Sequence, residues 1–134
     1  MRNAAREAAL NVVFAQQFNT DCLDGLKKKV FKQFKLEKED DVMFACDLIA
    51  AVEEHRVQLI EGIENACHHY LENRINPMDK SIMLIAMAEI KYFDEIPSVV
   101  SVSEATGLAR KYSTEKSADF VNGVLSGVIN KKED

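Results

Sequence analysis

Proline and glycine are scarce in this chain, with two and five among 134 residues. Strands joined by tight turns need both, so the shortage favours an all-α fold. Cysteine is scarce as well. Cys22, Cys46 and Cys67 are odd in number, widely spaced and without a Cys-x-x-Cys pair. That pattern indicates neither a disulfide framework nor a zinc site, and the expectation is buried, reduced thiols in a cytoplasmic protein. No apolar run approaches the roughly 20 residues that cross a bilayer. The first ten residues hold two Arg and one Glu without the long apolar stretch of a signal peptide. Net positive charge is missing too: the formal charge is −5. A protein that grips nucleic acid alone through its phosphates is usually basic, so any such binding must come from a local patch or from a basic partner. Finally, there is no Gly-x-Ser-x-Gly elbow, no phosphate-cradling Gly-rich loop and no His-Glu-x-x-His helix, which leaves no catalytic arrangement and no cofactor to expect.

What is present is helical periodicity. A chain of this length buries about 70% of its unfolded surface, enough for one domain (residues 1–134) with its own core. From Asn3 to Phe18, Leu10, Phe14 and Phe18 recur at i, i+4 and i+8 and predict one apolar stripe. Asp21 is placed to cap a second helix reaching about Phe34, whose other face is Lys27, Lys28, Lys29, Lys32 and Lys35. That face reads either as a solvated lysine surface or as a phosphate-facing patch. The acidic run Glu37 to Asp41 suits a helix start. Val42, Ala45, Ile49 and Val52 then form one stripe, and Val57, Ile60, Ile63, Ala66 and Cys67 continue it after a break near His55. Asn76-Pro77-Met78-Asp79 is the best-punctuated start: a good N-cap, a proline at the first helical position and an acid in the first turn. The following run, Ile82 to Ala88, is apolar all round, which predicts a central helix surrounded by others. Ser101-Val102-Ser103-Glu104 reads as a capping box for the next helix, to about Tyr112. The last helix starts near Ser113 or Thr114, with Val121, Val124, Leu125, Val128 and Ile129 inward. Gly123 and Gly127 lie four apart within it, which predicts the close approach of another helix backbone.

Few residues invite a chemical reading. Cys67-His68-His69 are adjacent, so on a helix they point about 100° apart and do not converge on a metal. Glu64, His68 and Glu72 read as a surface charge pairing. Glu89 sits in the apolar helix and needs a partner if buried, as a structural hydrogen-bonding carboxylate. Phe120 falls about 100° from Val121, off the inner stripe, where it either packs under a neighbouring loop or offers a stacking platform to an unpaired base. Lys116 lies one turn earlier on the same face, within reach of a phosphate.

The stretch Met78 to Ile90, then Glu95-Ile96-Pro97, Ser103-Glu104-Ala105, Leu108 to Tyr112, Ser113-Thr114-Glu115-Lys116-Ser117 and Phe120-Val121-Asn122-Gly123-Val124-Leu125 resembles the NusB family, as does the opening Ala5 to Leu10. The middle, Thr20 to Glu72, matches only in helical pattern. The resemblance implies about seven helices in two packed bundles. It implies a bacterial cytoplasmic factor, not an enzyme, that binds boxA-type single-stranded RNA together with the small-subunit ribosomal protein NusE. That complex would join RNA polymerase in an antitermination complex acting on ribosomal RNA operons. By position, Arg2 and Arg6 fall at the arginine-rich RNA-contacting end, and Lys116, Ser117 and Phe120 on the RNA-contacting turn and final helix. Phe14 and Asp79 fall on the surface that meets NusE. The chain departs from the family at Asn3, Ala4 and Ala5, which interrupt the usual arginines, and at Lys116, where several members carry an acid. A helical protein-interaction module without RNA binding is the rival reading. A methyltransferase, whose N-terminal part NusB-like domains also resemble, is disfavoured by the missing cofactor-binding turn.

Overall fold

A computed structural model describes residues 2–18, 22–67 and 75–133, with side chains placed for residues 3–18, 22–67 and 75–130. Among these residues there is no strand. Six helices follow in order: α1 (Arg2–Gln16), α2 (Leu23–Gln33), α3 (Glu39–Cys67), α4 (Pro77–Tyr92), α5 (Ser98–Tyr112) and α6 (Glu115–Glu133). The long α3 carries the break expected near His55, whose backbone leaves helical geometry (φ −113°, ψ 20°). Counted as two segments there, it brings the total to the expected seven. No helix among the described residues is long and apolar enough to cross a membrane.

The helices form two groups. α1 packs on α2 and α3, α5 packs on α6, and α4 joins the groups by lying against α1, α3, α5 and α6. Burial of α4 is therefore nearly complete: every side chain from Ser81 to Ile90 is buried. This is the environment that a helix apolar on all sides requires.

Several local expectations change in context. Leu10 is fully buried, but Phe14 is half-buried and Phe18 is 66% exposed. α1 ends at Gln16, and a turn (Phe18 N–H to Ala15 O, 3.1 Å) takes Phe18 off the helical period. The inner face of α1 is instead made of Ala5, Ala8, Ala9, Val12 and Val13. Val57 is likewise exposed, two residues beyond the His55 kink, while Leu59 and Ile63 point inward. Ser101 does not cap α5, which begins a turn earlier with Pro97 at the N-cap. Its hydroxyl points into the core. Gly123 and Gly127 face open space rather than a helix backbone; the tight approach is at Gly62, where a Cβ would lie 2.6 Å from the Met87 Cε. Cys67 is buried, and burial pushes its thiol pKa up, whereas Cys22 is exposed and Cys46 intermediate. The expected cap Asp21, and His68, His69 and Glu72 of the metal and charge-pair readings, lie outside the described residues.

Candidate nucleic-acid interface

The N-termini of α4 and α6 meet, and each is capped by its own sequence. Asn76 Oδ1 accepts from the Met78 N–H (2.8 Å) and the Asp79 N–H (3.4 Å), with Pro77 following as predicted. At α6, the Thr114 hydroxyl oxygen accepts from the Ser117 N–H (3.0 Å). These caps satisfy backbone donors that would otherwise be orphaned and fix the direction of the first-turn side chains.

A hydroxyl relay ties the two ends together. Ser113 Oγ donates to Ser117 Oγ (2.9 Å), and Ser117 Oγ donates to Asp79 Oδ2 (2.9 Å). The other carboxylate oxygen, Asp79 Oδ1, is buried and has no hydrogen-bond partner among the described residues; Asp79 as a whole is only 5% exposed. An unsatisfied buried acceptor costs about 1–3 kcal/mol and calls for an explanation. It lies beside one: Asp79 lines a pocket of about 250 Å³ with Ile75, Asn76, Thr114, Lys116, Ser117 and Phe120. Phe120 is half-buried against the core, and the Lys116 ammonium is exposed at the start of α6. An aromatic wall, a cation at a helix N-terminus and an acceptor without a partner among the described residues suit a planar, hydrogen-bonding, phosphate-linked group.

The structure thus gathers Lys116, Ser117, Phe120 and Asp79 into one place. Asp79, expected on a separate protein-binding surface, is part of the pocket. The end of α1 reaches α4 beside it: Gln17, just past α1, donates through Nε2 to Pro77 O (3.1 Å) and Ser81 Oγ (2.5 Å) in the first turn of α4. Phe14 meets Phe18 edge-on at 5.2 Å. Sequence reasoning missed Phe18 as a surface aromatic, as well as Asn76 and Thr114 as pocket walls. The cap signals at Asn76 and Thr114 were legible, but their adjacency was not.

Arg6 goes elsewhere. It is 4% exposed, and its guanidinium grips both oxygens of Glu89 (Nε–Oε2 2.8 Å, Nη2–Oε1 2.9 Å). Ser101 Oγ donates to the same carboxylate at 3.1 Å, and Phe44 lies under the Arg6 guanidinium at 5.4 Å. Arg6, expected at the RNA-contacting end, lies in the core and pairs with the buried acid of α4. Helical period sets this outcome, because Arg6 shares a face with buried Ala9, Leu10 and Val13. The side chain of Arg2 lies outside the described residues. Nearby, Glu7 accepts from Tyr112 Oη and pairs with Lys111. Burial raises the Glu7 pKa, but those two partners outweigh it and hold the pKa below the usual value.

Against known proteins, a model described as the NusB family matches residues 3–130. The transcription antitermination protein NusB of Finegoldia magna is 32% identical over 98% of this chain and 96% of its own. The protein of the same name from Natranaerobius thermophilus is 33% identical over 97% and 95%. Among solved structures, T. maritima NusB superposes with a TM-score of 0.90 at 23% identity, covering 98% of this chain and 92% of its own. A complex of the antitermination factors NusB and NusE with double-stranded RNA matches with a TM-score of 0.83 at 24% identity, over 97% and 96%.

Proposed function

The chain belongs to the NusB family, and from that premise we propose that it is a transcription antitermination factor, an RNA-binding adaptor that works in the cytoplasm with NusE at the elongating RNA polymerase. Near-full-length relatives carry that activity in their names, and a structural relative is bound to NusE and RNA. The observation that carries the site assignment is the pocket between the starts of α4 and α6, lined by a half-buried aromatic, an exposed lysine and Asp79, whose buried Oδ1 has no hydrogen-bond partner among the described residues.

Its action follows from those groups. An unpaired base of boxA-type RNA stacks on Phe120, a contact worth about 1–3 kcal/mol. The Asp79 Oδ1 accepts from an amino or imino N–H on the base edge, which satisfies the acceptor and favours bases that offer a donor there. Lys116 and the α6 N-terminus take the adjoining phosphate. The aromatic end of α1, Phe14 with Phe18, is the contact for NusE beside the RNA, so that protein and RNA are held side by side. One phosphate-facing lysine on a chain of charge −5 gives modest affinity alone, and a basic partner raises it.

The test is a titration of boxA-type and scrambled RNA at two salt concentrations, with and without NusE, for the wild type, Phe120→Ala and Lys116→Glu. Preference for the boxA sequence, enhancement by NusE, and a tenfold or greater loss in Phe120→Ala are expected. Equal, salt-insensitive binding to both RNAs in all three proteins would overturn the proposal.

A further inference from the structure

The pocket presents one cation, yet this chain holds a row of others that the proposed site does not use. Most described cations outside residues 27–38 are engaged. Arg6 grips Glu89, Arg56 pairs with Glu53, Arg110 with Glu115 and Lys111 with Glu7. In contrast, Lys28, Lys29, Lys32, Lys35 and Lys38 are all exposed, and none has an ion-pair partner among the described residues. Only Lys27 is tied, to Asp24 at 3.9 Å. Residues 22–38 contain six lysines against Asp24 and Glu37, a strongly basic segment in an acidic protein.

The arrangement opposes stability. Lys28 and Lys32 are i and i+4 neighbours, whose repulsion costs a few tenths of a kcal/mol. Lys28 and Lys32 share one side, about 6 Å apart along the axis, and Lys35 follows just beyond the helix end. Lys35 sits just past the helix with a left-handed backbone (φ 51°), where its N–H reaches Lys32 O and the Leu36 N–H reaches Phe31 O (2.9 Å). Glycine closes a helix there at lower cost than a lysine. The helix dipole accounts for a cation at Lys32 and Lys35, but not for Lys28 and Lys29 in the middle of α2. A linear polyanion laid along the row relieves the repulsion at every position.

We propose that the outer face of α2, through Lys28, Lys32 and Lys35 with Lys29 and Lys38 at its flanks, binds the phosphate backbone of the RNA that continues beyond the segment held at Phe120. The inference rests on the RNA-binding reading above and extends it to a second, sequence-independent contact. Placement supports continuity. α2 packs on α1, and Leu23 follows Gln17 by only six residues. The Gln17 side chain touches the first turn of α4, so the start of α2 lies within about 30 Å of the pocket region. A single strand leaving Phe120 crosses that distance in a few nucleotides. Phosphates need no base-specific donor, which fits a face built of lysines rather than of amides or aromatics.

The test compares a short boxA-type RNA with the same RNA extended by an unstructured uridine flank at either end. The proteins are the wild type, Lys28→Glu/Lys32→Glu/Lys35→Glu, the corresponding triple Gln variant, Phe120→Ala, and Lys91→Glu as a charge control to set beside Lys32→Glu alone. These lysines are exposed, and equal melting temperatures verify the fold. The wild type should bind an extended RNA about tenfold more tightly at low salt, with a salt slope steeper by about 2, as three contacted phosphates on a single strand require. Both triple variants should lose that gain and keep the short-RNA affinity. Lys32→Glu should lose part of it and Lys91→Glu none. If flanks add nothing in the wild type, if the triple variants keep the gain, or if polyglutamate of matched charge competes as well as the flanking RNA, the lysine face is not an RNA track. If Phe120→Ala leaves the short RNA bound while the triple variants still lose the flank gain, the pocket assignment fails and the lysine face stands.

Discussion

Arg6 and Glu89, 83 positions apart in the chain, form a two-pronged ion pair in the core at 2.8 and 2.9 Å. The pair staples α1 to the central helix α4. Removing one partner leaves a buried, uncompensated charge, which costs about 3–5 kcal/mol, whereas replacing both with apolar groups is often neutral. Arg6→Met and Glu89→Leu should each lower the free energy of unfolding by that amount in urea titrations. The double variant should recover most of the loss. Additive losses in the double variant would show that the two residues act independently.

Asp79 separates binding from stability. Asp79→Asn keeps an acceptor for Ser117 Oγ while replacing a carboxylate whose other oxygen has no hydrogen-bond partner among the described residues. Unfolding stability should stay within about 1 kcal/mol of the wild type, since the lost dipole interaction at the start of α4 offsets the gain. RNA affinity should fall about tenfold, the worth of one charge-assisted hydrogen bond. Unchanged affinity in this folded variant would remove Asp79 from the interface.

Gly123 and Gly127 invite substitution. A Cβ at either position meets nothing within 4 Å, and both lie inside α6. Gly123→Ala and Gly127→Ala should each stabilise by about 0.5–1 kcal/mol, through the lower entropy of the unfolded chain and better helix propensity. Thermal melts of the two variants check this, and a lowered melting temperature would contradict the open space around both sites.

Stability should depend on pH through Glu7. Burial raises its pKa, but Lys111 and Tyr112 hold it below the ordinary 4.5. A depressed carboxylate stabilises the fold above its unfolded pKa, and that contribution disappears as pH falls through the lower, folded value. The stability difference between wild type and Glu7→Gln should therefore be constant above about pH 5 and shrink below 4.5. Urea midpoints measured from pH 3 to 7 test it; a difference independent of pH would mean that Glu7 is not stabilised as an anion.

The sequence alone determined the helices. Period and punctuation placed α4 behind Asn76 and Pro77, the break at His55 and the all-round burial of α4, because caps and apolar spacing are local interactions that the chain carries wherever it goes. It also brought Lys116, Ser117 and Phe120 together, since they share one turn of one helix. Only the tertiary structure decided what was non-local. It turned Arg6 from a surface cation into the partner of Glu89, set Ser101 on that carboxylate rather than on a helix end, and moved Asp79 against Ser117. The physical reason is common to all three: a buried charge or hydroxyl takes whichever partner the packing of distant helices delivers, and nothing in the neighbouring residues names that partner.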